Sequence, residues 1–392
     1  MPQELREAET LKFPRRRFLH GAAMAATVSC LSPNLLLGGQ VALDGAASTD
    51  TDTMDQALEM MAKLAPLTNH GPMASEALVA LGRADKVFAF VEAYKKRFTS
   101  SYPERRQTVT RENWRAALGD GGRVADWTSF FNRELKEAAW PQVLDQWSAV
   151  LAPGFASAAA HGVIRTGHAV RSLSVKETEL RRRELAEGLG YWAAYYQALP
   201  EAPDAKAEKL RPAQAINQVP LLPADKRPRN GSIMIGLRSI NDFSPFAKVA
   251  NLVETSGKGN QLLSEMTETF ASAYVKNATA RNFVTLIHTV TSTTSLRSLL
   301  PYLSPATTRR MLRYSWQMAA ALYSISAIGS TNSLPEVKEI ERDNLIDRAA
   351  ALQEEHAIKF TEACLRNYAL NPKPVYLLAA NDALERLQSS PL

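Results

Sequence analysis

The chain has 392 residues, of which 45% are hydrophobic and 22% charged, a composition typical of a globular protein with a substantial core. The formal net charge of +6 is modest for this length, and the basic residues are spread along the chain, which argues against nucleic-acid binding. The two cysteines, Cys30 and Cys364, predict no disulfide, because Cys30 lies in a segment that we expect to be removed.

The N-terminus has the features of an export signal. Residues 15–20 read R-R-R-F-L-H, and a mildly apolar, alanine-rich run follows them. Consecutive arginines before such a run are typical of a twin-arginine signal, which predicts export by the Tat translocase to a periplasmic or secreted location. The run is too short to span a bilayer, so we expect no stable membrane insertion. We expect residues 1–47 to be signal and linker, with cleavage after Ala47, and a lipoprotein site at Cys30 is the weaker alternative.

From Met54 onward the apolar residues recur at helical spacing and do not alternate. This pattern predicts an all-α fold, with a single large multi-helix domain over residues 54–390. Residues 200–232, rich in proline, are predicted to be a long connection. The predicted helices span residues 54–65, 73–82, 85–97, 127–137, 140–151, 157–173, 176–199, 245–253, 261–278, 280–288, 295–303, 307–328, 334–352, 355–370 and 375–387.

The helix predicted over residues 157–173 carries two imidazoles, His161 and His168. Their spacing places both rings on one helical face, about 10 Å apart along the axis. Histidine is the commonest metal ligand and titrates close to neutral pH. Taken alone, the stretch favours a structural interpretation, in which one histidine caps a hydrogen-bond network in a tight helix pair and the other faces solvent.

Three further histidines have distinctive surroundings. His70 precedes Gly-Pro at the start of a helix, His288 closes an apolar run, and His356 lies three residues before Lys359 on one helical face. Histidines on apolar faces are costly unless they are hydrogen-bonded or bind a ligand, and bundle interiors are where side chains converge on metals. The spacing contains no zincin or di-iron carboxylate motif. It leaves a metal site and structural histidines equally open.

Four motifs, in this order, carry a resemblance: N-H-G-P, H-G-V-I-R-T-G-H-A-V-R, L-I-H-T-V-T with L-L-P-Y-L, and E-E-H-A-I-K-F-T-E-A-C. Over residues 54–387 the chain resembles the questin oxidase-like family. The resemblance implies an all-helical oxidoreductase that uses dioxygen to oxygenate or cleave an aromatic or quinone-type small molecule. For some members it implies non-haem iron, Fe(2+), held by four histidines and a carboxylated lysine. The ligands it implies here are His70, His161, His288 and His356, with Lys359 as the modified lysine and His168 as the alternate fourth histidine.

The chain departs from the family pattern at Arg165. Many members carry a second histidine at this position, one turn after the residue that matches His161. The arginine could hold a phenolate or carboxylate, and an ion pair on the helix surface is the alternative. Arg165 and His168 are therefore the candidate catalytic residues. Lys359 could likewise be a surface lysine that pairs with Glu355.

Two other functions stay open at this stage. Other members of the family imply an NADPH-dependent Baeyer–Villiger-type monooxygenase without metal. Export argues against this function, because reduced nicotinamide is not expected outside the cytoplasm, and the sequence has no dinucleotide-binding glycine motif in a strand–helix context. The third possibility is a non-catalytic helical small-molecule binding protein in which the histidines are structural.

Overall fold

The computed structural model describes residues 47–62, 69–97, 104–202, 207–227, 232–330, 332–336 and 339–389. The predicted export signal therefore lies outside the described residues, apart from Ala47 at its end. The described chain is all-α, as predicted, and its only β pairing consists of isolated bridges, Phe155 with Gln197 and Leu210 with Val253. None of the described helices combines the length and the apolar character that a bilayer crossing demands.

The α-helices follow one another along the chain with short connections over most of its length. They are α1 (Ala47–Met60), α2 (Gly71–Ala80), α3 (Val87–Arg97), α4 (Trp114–Ala117), α5 (Val124–Glu137), α6 (Trp140–Leu151), α7 (His161–Val175), α8 (Glu179–Ala194), α9 (Pro212–Ala215), α10 (Ile233–Ile240), α11 (Gly259–Asn277), α12 (Phe283–Leu299), α13 (Pro305–Ser326), α14 (Arg342–Leu352), α15 (Glu355–Leu370) and α16 (Val375–Ser389).

The prediction of two helices over residues 280–288 and 295–303 was wrong, because α12 is continuous between them. The threonine-rich stretch between the two predicted helices is itself helical. Its buried hydroxyls find hydrogen-bond partners within the helix, since those of Thr293 and Thr294 donate to main-chain carbonyls one turn earlier. Smaller differences concern three other places. The predicted α-helix over residues 245–253 is a 3₁₀ helix (Ser244–Asn251), and the sequence did not predict α10. The helix predicted over residues 334–352 begins later, at Arg342 of α14.

The predicted helix over residues 157–173 begins four residues late, at His161. The three alanines before it, Ala158, Ala159 and Ala160, have φ values of 44°, 59° and 69°, in the left-handed region. A non-glycine residue costs about 1–2 kcal/mol in this conformation, so packing around these buried alanines must hold the turn. The turn fixes where His161 begins its helix.

The main core extends through most of the described helices, and one aromatic-rich part of it lies between α5, α6 and α8, where α5 packs closely against α8. Aromatic side chains fill it, with edge-to-face contacts of Trp147 to Trp127, Phe130 and Phe131 at ring-centroid distances of 6.1, 5.2 and 5.1 Å. Such pairs add to the stabilisation that burial of the rings provides. This rigid layer supports α7, which packs against the other side of α8.

Four helices, α2, α7, α12 and α15, form a closed ring in which each packs against the next and α15 returns to α2. Glycine allows the closest approach: a Cβ atom on Gly167 of α7 would lie 2.8 Å from the carbonyl oxygen of Ser295 on α12. A Cβ on Gly162 would lie 2.6 Å from Cα of Trp192 on α8. The ring of four helices therefore has little free space, and side chains that point into it are buried.

Candidate metal centre

Four imidazoles meet inside the ring of helices. His70 caps the N-terminal end of α2, His161 begins α7, His288 lies in the second turn of α12, and His356 lies in the first turn of α15. The ring-centroid distances around this four-histidine cluster are 4.7 Å for His70–His161, 4.9 Å for His161–His288, 5.5 Å for His288–His356 and 4.9 Å for His356–His70. The structure brings together the four histidines that the resemblance implied.

Two of these rings are oriented by main-chain carbonyls. Nδ1 of His161 lies 2.6 Å from the carbonyl oxygen of Ala158, and Nδ1 of His288 lies 2.7 Å from that of Val284. A carbonyl only accepts, so each Nδ1 donates and each Nε2 carries a lone pair. These two Nε2 atoms are 3.3 Å apart. When both rings are neutral, neither Nε2 has a proton to share, so the contact is not a hydrogen bond between them.

The other two rings lie near acidic residues at the start of α15. Nδ1 of His356 donates to Glu354 at 2.7 Å, and this contact orients the ring. His70 is buried, and neither of its ring nitrogens has a hydrogen-bond partner among the described residues. Its Nδ1 lies 3.7 Å from Glu355, whose other oxygen accepts from Arg97 at 2.7 Å. A buried polar group without a partner is costly, so His70 is poised for a ligand.

Burial sets the charge state of the cluster. Burial is the main reason why the pKa values of His70 and His161 lie well below the usual value and why the pKa of His288 is lowered to about 3. The positive charge of Lys359 lowers all three pKa values further. His70, His161 and His288 are therefore neutral near neutral pH, which is the state in which imidazole binds a metal.

Lys359 is 3% exposed and follows His356 by one helical turn on α15. Burial lowers the pKa of its amine to about 8, against the opposing effect of the nearby carboxylates of Glu355 and Glu354. Among the described residues the amine makes no hydrogen bond and no close ion pair. The surface-lysine alternative is therefore excluded by the geometry, and an appreciable fraction of the amine is neutral near pH 8.

His168 lies outside the four-histidine cluster. Its Nδ1 contacts a carboxylate oxygen of Glu76 at 2.6 Å, and the same carboxylate accepts from Arg171 at 2.6 and 2.5 Å. Arg171 also donates to Glu362. The pKa of His168 is lowered, mainly by burial and against the effect of Glu76, so its ring is neutral with Nε2 as the acceptor. It is not one of the four imidazoles in mutual contact.

Arg165 does not point into the cluster. Its guanidinium donates to both oxygens of Glu184, at 2.6 and 2.8 Å, and to Glu187 at 2.5 Å. These carboxylates lie on α8, and Arg165 is 2% exposed. The ion pair thus joins α7 to α8 inside the protein, whereas the sequence suggested a pair on the helix surface or a substrate contact.

A small polar pocket lies beside the cluster. It has a volume of about 10 Å³, which is room for about one water molecule. Lys359 is among its buried walls, and the half-buried side chains of His168, Arg171 and Arg366 line it as well. The other lining residues are Gly167, Thr291, Thr294, Ser295, Ser298, Glu362 and Ala363.

Sequence reasoning missed the residues that hold the imidazoles in place. A local signal could have identified Glu354, because it is the N-cap residue of α15 and its side chain accepts from the main-chain N–H of Ala357 at 2.6 Å. No local signal could have identified Tyr94, because its hydroxyl accepts from the main-chain N–H of His70 at 2.8 Å across a separation of 24 residues. Glu76 was not found either, because nothing in α2 marks it as the partner of His168.

The family model described as questin oxidase-like matches residues 67–364 of the chain. The match contains all four clustered histidines and Lys359. No curated protein matches the chain.

Proposed function

Because this chain belongs to the questin oxidase-like family, whose membership implies an oxidoreductase, we propose that it is a non-haem iron enzyme that oxygenates or cleaves an aromatic or quinone-type small molecule with dioxygen. One observation carries the iron: Nε2 of His161 and Nε2 of His288 lie 3.3 Å apart, and both Nδ1 atoms are already donors. With imidazole–metal bonds of about 2.1 Å, neighbouring ligand nitrogens lie ~3.0–3.4 Å apart. The observed separation fits two ligands of one ion.

The donor set suits iron. Nε2 of His161, His288 and His356 would bind it, together with a ring nitrogen of His70, which has no other hydrogen-bond partner. Neutral imidazoles are good ligands for Fe(2+), and an anionic oxygen would balance its charge. Glu355 lies near His70 and His356, with one ligand atom from each within 4.8 Å of the others, and it is a further oxygen donor at the same place.

Lys359 would supply that anionic oxygen as a carboxylated lysine. The neutral amine attacks carbon dioxide, a C–N bond forms as one C–O π bond opens to an oxyanion, and the nitrogen releases one proton to water to give a carbamate. The reaction needs an uncharged amine, and burial favours that state by lowering the amine pKa to about 8. The absence of a hydrogen-bond partner among the described residues leaves the nitrogen accessible to carbon dioxide from the adjacent pocket.

Iron, when bound, supplies the activation of dioxygen, and the protein supplies orientation and a dry site. Burial of His70, His161 and His288 limits the access of water to the cluster. The Nδ1–Glu76 contact orients His168, so we assign it the role of accepting a proton at Nε2 from a substrate at the pocket. Arg165 positions α7 through its carboxylate partners and does not contact the substrate.

The first experiment measures iron in the purified chain, in a His356→Ala variant and in a His168→Ala variant as the matched control. We expect about one iron per chain in the wild type and in the control, and loss of iron in His356→Ala. Oxygen uptake with hydroxylated quinones should be lost with the iron in His356→Ala, and it should fall in His168→Ala although the iron is kept, because His168 is assigned the role of accepting the substrate proton. Metal-free wild-type protein that remains folded would overturn the iron centre. NADPH-dependent turnover would then identify the monooxygenase without metal, and substrate binding without turnover would identify the non-catalytic binding protein.

We also propose that the chain is exported to the periplasm or secreted by the twin-arginine route. The R-R-R-F-L-H segment and the alanine-rich run that follows it support this location. Replacing Arg15, Arg16 and Arg17 with lysine should keep a fused reporter in the cytoplasm. Export that persists in this variant would rule out the twin-arginine signal.

A further inference from the structure

His70 differs from the other imidazoles of the four-histidine cluster in how its ring is held. The Nδ1 atoms of His161, His288 and His356 lie 2.6, 2.7 and 2.7 Å from oxygen acceptors. The side chain of His70 is 7% exposed, yet neither of its ring nitrogens has a hydrogen-bond partner within the described part of the chain. Histidines that bind a metal almost always donate their second ring N–H to an acceptor, which fixes the tautomer and the orientation of the ring. A ligand role for His70 therefore requires an acceptor beside it.

Glu355 is an acceptor within reach of this ring. Its Oε1 lies 3.7 Å from Nδ1 of His70, and its side chain is buried. This separation exceeds an ordinary hydrogen bond by about 0.8 Å, a gap that a small rotation of the imidazole ring closes. A carboxylate only accepts, so it favours the tautomer with the proton on Nδ1 and the lone pair on Nε2. His161 and His288 have this same tautomer, because Nδ1 of each donates to a main-chain carbonyl.

Arg97 fixes the carboxylate of Glu355 from α3. Its guanidinium donates to Oε2 of Glu355 at 2.7 Å, which leaves Oε1 for His70. Three residues earlier on α3, the hydroxyl of Tyr94 accepts from the main-chain N–H of His70 at 2.8 Å. Helix α3 therefore supports His70 at two points, at the main chain through Tyr94 and beside the ring through the Arg97–Glu355 pair. Because the side chain of Arg97 is 39% exposed, its replacement opens no buried cavity.

We propose that Glu355, held by Arg97, positions His70: its Oε1 accepts the Nδ1 proton of the ring and directs Nε2 toward the metal. Glu354 has the same role for His356, whose Nδ1 donates to it at 2.7 Å. Two consecutive glutamates at the start of α15 thus orient two imidazoles of the cluster. The metal-bound state rests on the proposed function, whereas the tautomer of His70 does not, because the carboxylate sets it in the metal-free chain as well. Direct binding of the metal by Oε1 is the competing role of Glu355.

The test is ¹⁵N NMR of the full chain labelled at its histidines, both metal-free and loaded with Zn²⁺ as a diamagnetic probe. The shifts of ring nitrogens distinguish protonated, lone-pair and metal-bound atoms. The signals that a His70→Ala variant lacks identify the ring of His70. In the wild type we expect a protonated Nδ1 in both forms and a zinc-bound Nε2 in the loaded form.

Glu355→Gln is the main variant, because it keeps the shape of the side chain. Arg97 donates to the amide oxygen, so the amide N–H group faces Nδ1 of His70 and the ring proton should move to Nε2. Zinc should then bind about ten- to a hundredfold more weakly. Arg97→Met combined with Glu355→Gln frees the amide to turn its oxygen to the ring, which should restore the Nδ1 proton. Arg83→Gln, the control, removes an ion pair with the exposed Asp347 and should change neither the tautomer nor the zinc affinity.

The outcomes separate the two roles of Glu355. Zinc bound through Nδ1 of His70, or a tautomer that is the same in the wild type and in Glu355→Gln, would overturn the positioning role. An unchanged tautomer together with complete loss of zinc binding in Glu355→Gln would assign Glu355 as a metal ligand instead. A folded wild type that binds neither zinc nor iron, but whose His70 tautomer depends on Glu355, would count against the proposed function alone.

Discussion

His161 and His288 face each other through their Nε2 atoms at 3.3 Å, although each ring has already donated its Nδ1 proton to a main-chain carbonyl. Two lone pairs that meet in a buried site repel, and a proton or a cation between them relieves the repulsion. Burial opposes the proton, because it lowers the pKa of both rings. The pair therefore favours a bound metal cation.

The first prediction follows from this pair. The wild type in metal at a free concentration of a hundred times Kd should have a free energy of unfolding about 3 kcal/mol higher than the wild type from which a chelator has removed the metal. His288→Ala should unfold at the same temperature with and without chelator, because a ligand is missing. His168→Ala should stay as sensitive as the wild type. Thermal unfolding measures all three, and a wild type that ignores the chelator would contradict the site.

Lys359 gives the second prediction. Lys359→Met should lose iron. The metal-free variant should unfold at the same or a higher temperature than the metal-free wild type, because the substitution removes a buried amine without a hydrogen-bond partner among the described residues. Native mass spectrometry of the wild type in bicarbonate should show the added mass of one carbon dioxide, which the variant lacks. Lys373→Met, a change at a half-exposed lysine, is the control. Full iron in Lys359→Met without a carbon dioxide adduct in the wild type would refute the carbamate.

Local patterns predicted much of the fold. Glu355–Leu370 and Trp140–Leu151 have the predicted bounds, and His356 and Lys359 lie one helical turn apart on the first of these helices, as their spacing predicted. These features depend on neighbours within two helical turns. Periodicity is a local signal, so it is reliable for such elements.

The remaining features depend on long-range packing. No local pattern shows that His70 and His356 stack edge to face, because the helix ring brings them together across most of the chain. The left-handed turn before His161 is built from alanines, which by themselves disfavour it. The partner of Arg165 lies on the next helix, so the sequence left an ion pair and a ligand contact equally open.

Glu76 gives a prediction about pH. Arg171 and His168 hold the pKa of its carboxyl at about 2, below the ordinary 4.5, although burial alone would raise it. A lowered pKa stabilises the fold above pH 4.5, and this stabilisation is lost as the pH falls toward 2. The stability difference between the wild type and Glu76→Gln should therefore shrink by on the order of 3 kcal/mol over this range. Urea unfolding at a series of pH values measures the difference.

The control for that pH series is Glu92→Gln, because Glu92 is exposed and pairs only with Lys95 on the surface of α3. Its stability difference from the wild type should stay nearly constant between neutral pH and pH 2, since surface pairs contribute little. A constant difference for Glu76→Gln as well would show that Glu76 is not ionised in its contact with His168 and Arg171. The orientation of the His168 ring would then need another cause.

Arg165 gives the last prediction, which separates a structural from a catalytic role. Arg165→Met leaves Glu184 buried without its partner, and burial already raises the pKa of that carboxyl. We expect a loss of about 3–5 kcal/mol in the free energy of unfolding, measured by urea titration. Arg183→Met removes a longer, more exposed pair with Glu187 at 3.9 Å and should cost less than about 1 kcal/mol.

A double variant completes this test. Arg165→Met combined with Glu184→Leu removes both members of the main pair, so most of the lost stability should return, because apolar side chains can replace a buried ion pair. Iron content and oxygen uptake should return with it if Arg165 acts only by joining α7 to α8. A double variant that is stable and holds iron but has no turnover would instead show that Arg165 contacts the substrate.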